Sequence, residues 1–121
     1  MFQDNLKRLV AETEGGVAGL LMGFDGIAVE SYAHEGFTGA LADVQTLAME
    51  FAHVVAQARR TVKSLDAGAL QEMTLRTDTL TLIVHVLNQE YFLACAILPT
   101  ASLGKARYLL RVTAPHLTAD L

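Results

Sequence analysis

Apolar and polar positions alternate along this chain with two different periods, and the switches between them divide it into eight elements. Phe2, Leu6, Leu9 and Val10 recur at i, i+4, i+7 and i+8, one face of a helix. Gly15-Gly16 stops that helix. Val17 to Phe24 then predicts a strand, Asp25-Gly26 a two-residue hairpin turn, and Ile27 to Ala33 the returning strand. Asp-Gly suits such a turn because both central residues of a type I′ turn need φ > 0. A loop containing Gly36 and Gly39 follows. From Ala40 to Leu65 there is neither Pro nor Gly, and the period becomes helical over roughly 26 residues, or ~39 Å. Gly68 lies just past its end, where a left-handed residue is often wanted. Three strands are predicted next, at Leu70 to Thr77, Leu80 to Leu87 and Tyr91 to Leu98, with Thr77-Asp78 and Asn88-Gln89 at the turns. Pro99 ends the last strand. Leu103, Ala106, Leu109 and Leu110 mark a final helix, which Pro115 is expected to end or kink.

The strands also predict the layers. One face of Leu80 to Leu87 reads Leu80, Leu82, Val84, Val86, and the other includes Ile83 and Leu87. The last strand reads Phe92, Ala94, Ala96, Leu98 on one face and Leu93, Cys95, Ile97 on the other. Hairpin-length connections make these strands antiparallel, and antiparallel sheets usually leave one face wet. Two apolar faces therefore need two covers. The expectation is one α/β (α+β) domain over residues 1–121, with element order α-β-β-α-β-β-β-α. It has three layers: an antiparallel sheet, the long helix on one face, and the two terminal helices on the other.

Two features point to self-association. The strand from Leu70 to Thr77 carries Leu70, Glu72, Thr74 and Arg76 on one face and Gln71, Met73 and Leu75 on the other. It is the least apolar of the three C-terminal strands, as suits an edge, and an unprotected edge is a template for pairing. On the long helix, at about 100° per residue from Leu41, the stripe Leu41, Val44, Leu47, Phe51, Val54, Val55, Ala58, Val62 and Leu65 is expected to face the sheet. An adjacent sector holds Gln45, Ala48, Met49, Ala52, Ala56, Arg59 and Lys63, and its small residues would let a second backbone approach closely. The solvent sector holds Asp43, Thr46, Glu50, His53, Gln57 and Arg60.

Composition narrows the function classes. Apolar residues make up 52% of the 121 positions and charged residues only 18%, poorer in charge than an average soluble domain. Such a chain has a well-covered core or keeps an apolar face for a partner. A net charge of −4 argues against nucleic acid, whose binders carry a basic stripe. Apolar runs such as Val17 to Phe24 are far short of the ~20 residues a membrane span needs. The opening MFQDNLKRLV lacks the features of a secretory signal. With the single cysteine, Cys95, it predicts a cytoplasmic protein without disulfides.

Nearly the whole chain resembles the Roadblock (dynein light chain) family, including its bacterial MglB-type proteins. The resemblance rests on the element order, the hairpin GLLMGFDGIAVES, the run QEMTLRTDTLTLIVHVLNQEYFLACAIL, and LGKARYLLRVTAPHL near the end. It implies a five-stranded antiparallel sheet and a homodimer in which the third strand and the long second helix each pair with their copies. Here those are Leu70 to Thr77 and Ala40 to Leu65. The expected dimer contacts are Gln45, Ala48, Met49, Ala52, Ala56 and Arg59 on the helix, with Leu70, Glu72, Thr74 and Arg76 on the strand. It further implies a platform for a Ras-like small GTPase, which leaves Glu50, His53, Gln57 and Arg60 available to that partner. MglB-type proteins usually carry a longer C-terminal extension than this sequence, so a GTPase-activating role lies outside what the resemblance implies. The alternative is a structural adaptor subunit of a larger complex.

Catalytic and cofactor signals are weak. Gly104-Lys105 resembles the end of a phosphate loop, but position 99 is Pro where that loop needs Gly, and position 106 is Ala where it needs Ser or Thr. His34, His53, His85 and His116 lie on different elements without metal-ligand spacing. Cys95 sits between Ala94 and Ala96 in mid-strand, as a small buried hydrophobe does. Glu30, Glu72 and Glu90 show no pairing. Arg59, Arg60 and Lys63 complement the helix macrodipole, and Lys105, Arg107 and Arg111 read as a solvated face. No cofactor, metal or enzyme activity is expected. A helix-flanked sheet could also be a small-ligand sensor, which would need a cavity with convergent polar groups.

Overall fold

The expected elements form, in the expected order. In the computed structural model, which describes residues 1–121, they are α1 (Phe2–Glu12), β1 (Gly16–Gly23), β2 (Ala28–Ala33), a short 3-10 helix (Glu35–Ala40), α2 (Leu41–Ser64), β3 (Glu72–Arg76), β4 (Thr81–Val86), β5 (Tyr91–Ile97) and α3 (Leu103–Thr118). The five strands form one antiparallel sheet in the order β2-β1-β5-β4-β3. The edge position of β3 follows the polarity of its sequence, and β2 forms the other edge.

The alternation along the strands sorts the core into two slabs. Leu20, Met22, Leu82, Val84, Phe92, Ala94 and Ala96 pack with Val44, Ala48, Phe51, Ala52 and Val55 of α2. On the other face Ile83, Leu93, Cys95 and Ile97 pack with Leu6 and Leu9 of α1 and Ala106, Leu110 and Leu117 of α3. Full burial stabilises by about 1.5–3 kcal/mol for each large apolar side chain, so the sheet is held from both sides. Gly16 allows the chain to turn from α1 into β1 at close quarters. A Cβ there would come within 2.8 Å of the Val10 carbonyl oxygen.

Two expectations need correction. The β1–β2 connection is not a two-residue type I′ turn, because Gly26 has φ +87° but Asp25 lacks a positive φ. The Gly26 N–H donates to the Gly23 carbonyl and the Gly23 N–H to the Ile27 carbonyl, both at 2.9 Å. This closes a three-residue loop whose last residue is left-handed. Asp25 contributes differently: its Oδ1 accepts from the Ile27 N–H at 3.0 Å. Pro115, in turn, does not end α3, which continues to Thr118. The ring removes one N–H, but fully buried Leu117 anchors the last turn, and the Thr118 hydroxyl donates to the Ala114 carbonyl at 2.9 Å.

Candidate functional site

Helix α2 meets the sheet through Val44, Phe51 and Val55 of the expected stripe, joined by Ala48 and Ala52 from the adjacent sector. Its buried residues are Val44, Ala48, Phe51, Ala52 and Val55, centred roughly 320° around the helix from Leu41. That is about 50° from the middle of the stripe expected to face the sheet. Small residues at 48 and 52 let the helix settle close to β1 and β2. Ala48 and Ala52, at 0% and 1% exposure, are therefore used within the chain.

The flank of α2 toward β2 is also engaged internally. Gln45 Nε2 donates to Ser31 Oγ at 3.0 Å, and Met49 packs over Gly26. The Arg59 guanidinium lies 4.1 Å from the centre of the Phe24 ring, and its Nη1 donates to the Gln89 carbonyl at 3.2 Å. Gln45 and Arg59 tie α2 to β2 and to the hairpin turns. Ala56 and Arg59 line an open hollow of about 1010 Å³ under the C-terminal half of α2, with Arg60, Lys63, Leu70 and Val86. It opens broadly to solvent and is not an enclosed ligand cavity.

The opposite flank of α2 carries its exposed apolar residues. Val54 is 50% exposed and Leu65 73%, while Leu47 and Ala58 are half-buried on the same side. Below them, Leu70, Met73 and Leu75 pack only partly against the core. The outer edge of β3 has no neighbouring strand, so its outward backbone groups lack a ladder partner. On the opposite face of β3, Thr74 and Arg76 are exposed. Glu72 is not free there: it pairs with Arg107 of α3, whose Nε donates to Glu72 Oε1 at 2.7 Å. No local spacing in the sequence shows this pairing.

The sequence contained one signal for this flank. The two sectors of α2 that carry its apolar residues together span roughly 220°, wider than the ~100° one packed face uses. Glu50, His53, Gln57 and Arg60 are all exposed on the outer side of α2.

Burial perturbs two titratable side chains on the sheet, Cys95 and His85. Burial pushes the Cys95 thiol up to about 12, which suppresses the thiolate needed for nucleophilic chemistry. Burial lowers His85, Glu72 raises it, and Arg111 lowers it further. Its Nδ1 is buried without a hydrogen-bond partner. No group of three or more His, Cys, Asp or Glu side chains is placed to hold a metal ion. No helix is long and apolar enough to cross a membrane.

No family profile matches the sequence, and no curated protein matches it. Solved structures do. MglC from Myxococcus xanthus is 30% identical, covering 99% of this chain and 98% of its own, with a TM-score of 0.71. A Roadblock/LC7 domain from Streptomyces avermitilis is 14% identical over 96% of this chain and 93% of its own, with a TM-score of 0.81. An MglB solved in a tetrameric arrangement is 21% identical over 97% of this chain and 85% of its own, with a TM-score of 0.82. The last two share the fold, and the first adds identity over both whole chains. The two slabs, the β2-β1-β5-β4-β3 sheet and this end-to-end match together establish that the chain belongs to the Roadblock family, alongside MglC and MglB.

Proposed function

We propose that this Roadblock domain is a homodimeric binding module that regulates or scaffolds a Ras-like small GTPase. Two observations carry the dimer: the apolar flank of α2 where Val54 is half exposed and Ala58 half-buried, and the edge of β3, which has no neighbouring strand. Pairing β3 with its copy would supply the missing ladder bonds, and the same two-fold axis would bring the two flanks together. Interfaces that bury one apolar stripe and one strand edge at once gain both hydrophobic and hydrogen-bond stabilisation.

The GTPase partner is proposed from membership of the family. Exposed Glu50, His53, Gln57 and Arg60 would lie on the outside of the paired helices and supply polar contacts of both charge signs. The phosphate chemistry is assigned to the partner, since Pro99 and Ala106 stand where a phosphate loop would need other residues.

The test is a pull-down with a purified Ras-like GTPase from the same organism, using wild type, Glu50→Lys and Arg60→Glu. Capture by wild type and its loss in at least one charge reversal, with the dimer intact, is the expected outcome. A partner that is not a GTPase, bound without regard to nucleotide, would instead make the chain a structural adaptor.

A further inference from the structure

The chain is acidic overall, yet its last helix is not. The sixteen residues of α3 contain Lys105, Arg107 and Arg111 and no Asp or Glu. Arg107 is paired with Glu72 across the sheet edge, whereas Lys105 and Arg111 have no carboxylate partner. Arg111 instead leans over the Tyr108 ring, 5.5 Å from its centre. Tyr108 is 54% exposed and Val112 41%. They stand four residues apart, on the side of α3 away from buried Ala106 and Leu110. At about 100° per residue Arg111 flanks them on the β3 side and Lys105 on the other. An exposed aromatic-aliphatic ridge between two unpaired cations has the composition of a binding surface, where Tyr and Arg carry much of the energy.

We propose that this α3 face docks an acidic amphipathic helix of a partner protein, with its apolar stripe on Tyr108 and Val112 and its carboxylates beside Lys105 and Arg111. Charge complementarity selects that occupant. A second copy of the same face would bring like charges together. A lipid surface is a poorer match, because polybasic lipid-binding segments gather about 4–8 Lys/Arg and this face has three, one already paired. The face lies on the opposite side of the sheet from α2, so the domain could hold two partners at once. The inference is independent of the GTPase proposal.

The probe is a fluorescein-labelled helical peptide with Glu residues flanking a Leu stripe, titrated against the full chain by anisotropy. A Lys-for-Glu counterpart and vesicles of phosphatidylcholine with phosphatidylserine serve as comparisons. The acidic peptide is expected to bind at least about tenfold tighter than the basic one, and more weakly as salt rises. Lys105→Glu combined with Arg111→Glu should weaken it by about tenfold or more, and Tyr108→Ala by a similar factor. All three positions are exposed, and melting curves would verify that the variants fold. Thr46→Glu, exposed on α2 on the far side of the sheet, should bind like wild type. Equal binding of the two peptides, loss of binding in Thr46→Glu alone, or binding to the vesicles only would overturn the proposal.

Discussion

Replacing Val54 by Glu separates the two faces of α2 most cleanly. Val54 is half exposed, so the monomer gains little from it and should tolerate the change. Fully burying a valine is worth ~1.5–3 kcal/mol, which leaves about 1 kcal/mol per copy to be gained on association. A two-fold interface counts it twice, about 2 kcal/mol, or ~30-fold in the dimer dissociation constant. Two carboxylates forced against an apolar stripe add a desolvation cost of several kcal/mol, so the loss should exceed that figure. Sedimentation equilibrium over a dilution series gives the constant, and circular dichroism shows whether the fold survives. The control is Ala52→Glu, at a position 1% exposed. A carboxylate there faces the chain's own sheet at a cost comparable to the ~5–15 kcal/mol stability of a domain. That variant should fail to fold rather than fold as a monomer. A folded Val54→Glu variant as dimeric as wild type, or a folded monomeric Ala52→Glu variant, would refute the orientation of α2 argued above.

Three further outcomes follow from the packing. Cys95, fully buried with its thiol pushed up to about 12, should resist thiol reagents in the native protein and react on unfolding; rapid native labelling at neutral pH would contradict its place under α3. His85, lowered by burial, binds a proton less readily folded than unfolded, so stability should fall as pH drops from 6.5 through its folded pKa. Melting temperatures between pH 8 and pH 5 should decline more steeply for wild type than for His85→Gln, and equal slopes would remove His85 as the cause. Arg59→Ala should lose about 1–2 kcal/mol of stability with its contacts to Phe24 and Gln89, leaving the dimer constant unchanged; a weakened dimer with unchanged stability would return Arg59 to the interface.

Periodicity alone was enough for the layers. The 3.6-residue pattern of α1 and the two apolar faces of β4 and β5 each have one physical solution, a sheet covered on both sides. The rotation of α2 was less legible, because hydrophobicity ranks Leu and Val above Ala. Close packing on a flat sheet favours the smaller side chain, so Ala48 and Ala52 face inward while Val54 remains at the flank. Pairs distant in sequence, such as Glu72 with Arg107 and Arg59 with Phe24, depend on how elements cross and leave no local spacing. The type I′ turn failed for a related reason. Asp-Gly fits both a two-residue turn and the last two positions of a three-residue loop, and the strand register decides between them.

Binding of a dimer to a small GTPase can be read in one titration. Wild-type chain is titrated calorimetrically into a purified Ras-like GTPase from the same organism, loaded first with a non-hydrolysable GTP analogue and then with GDP. Equal affinities for the two forms would mark a scaffold, and a difference of about tenfold or more, ~1.4 kcal/mol, a regulator. Saturable binding by a dimer is the expected result; binding to neither form would contradict the proposed function.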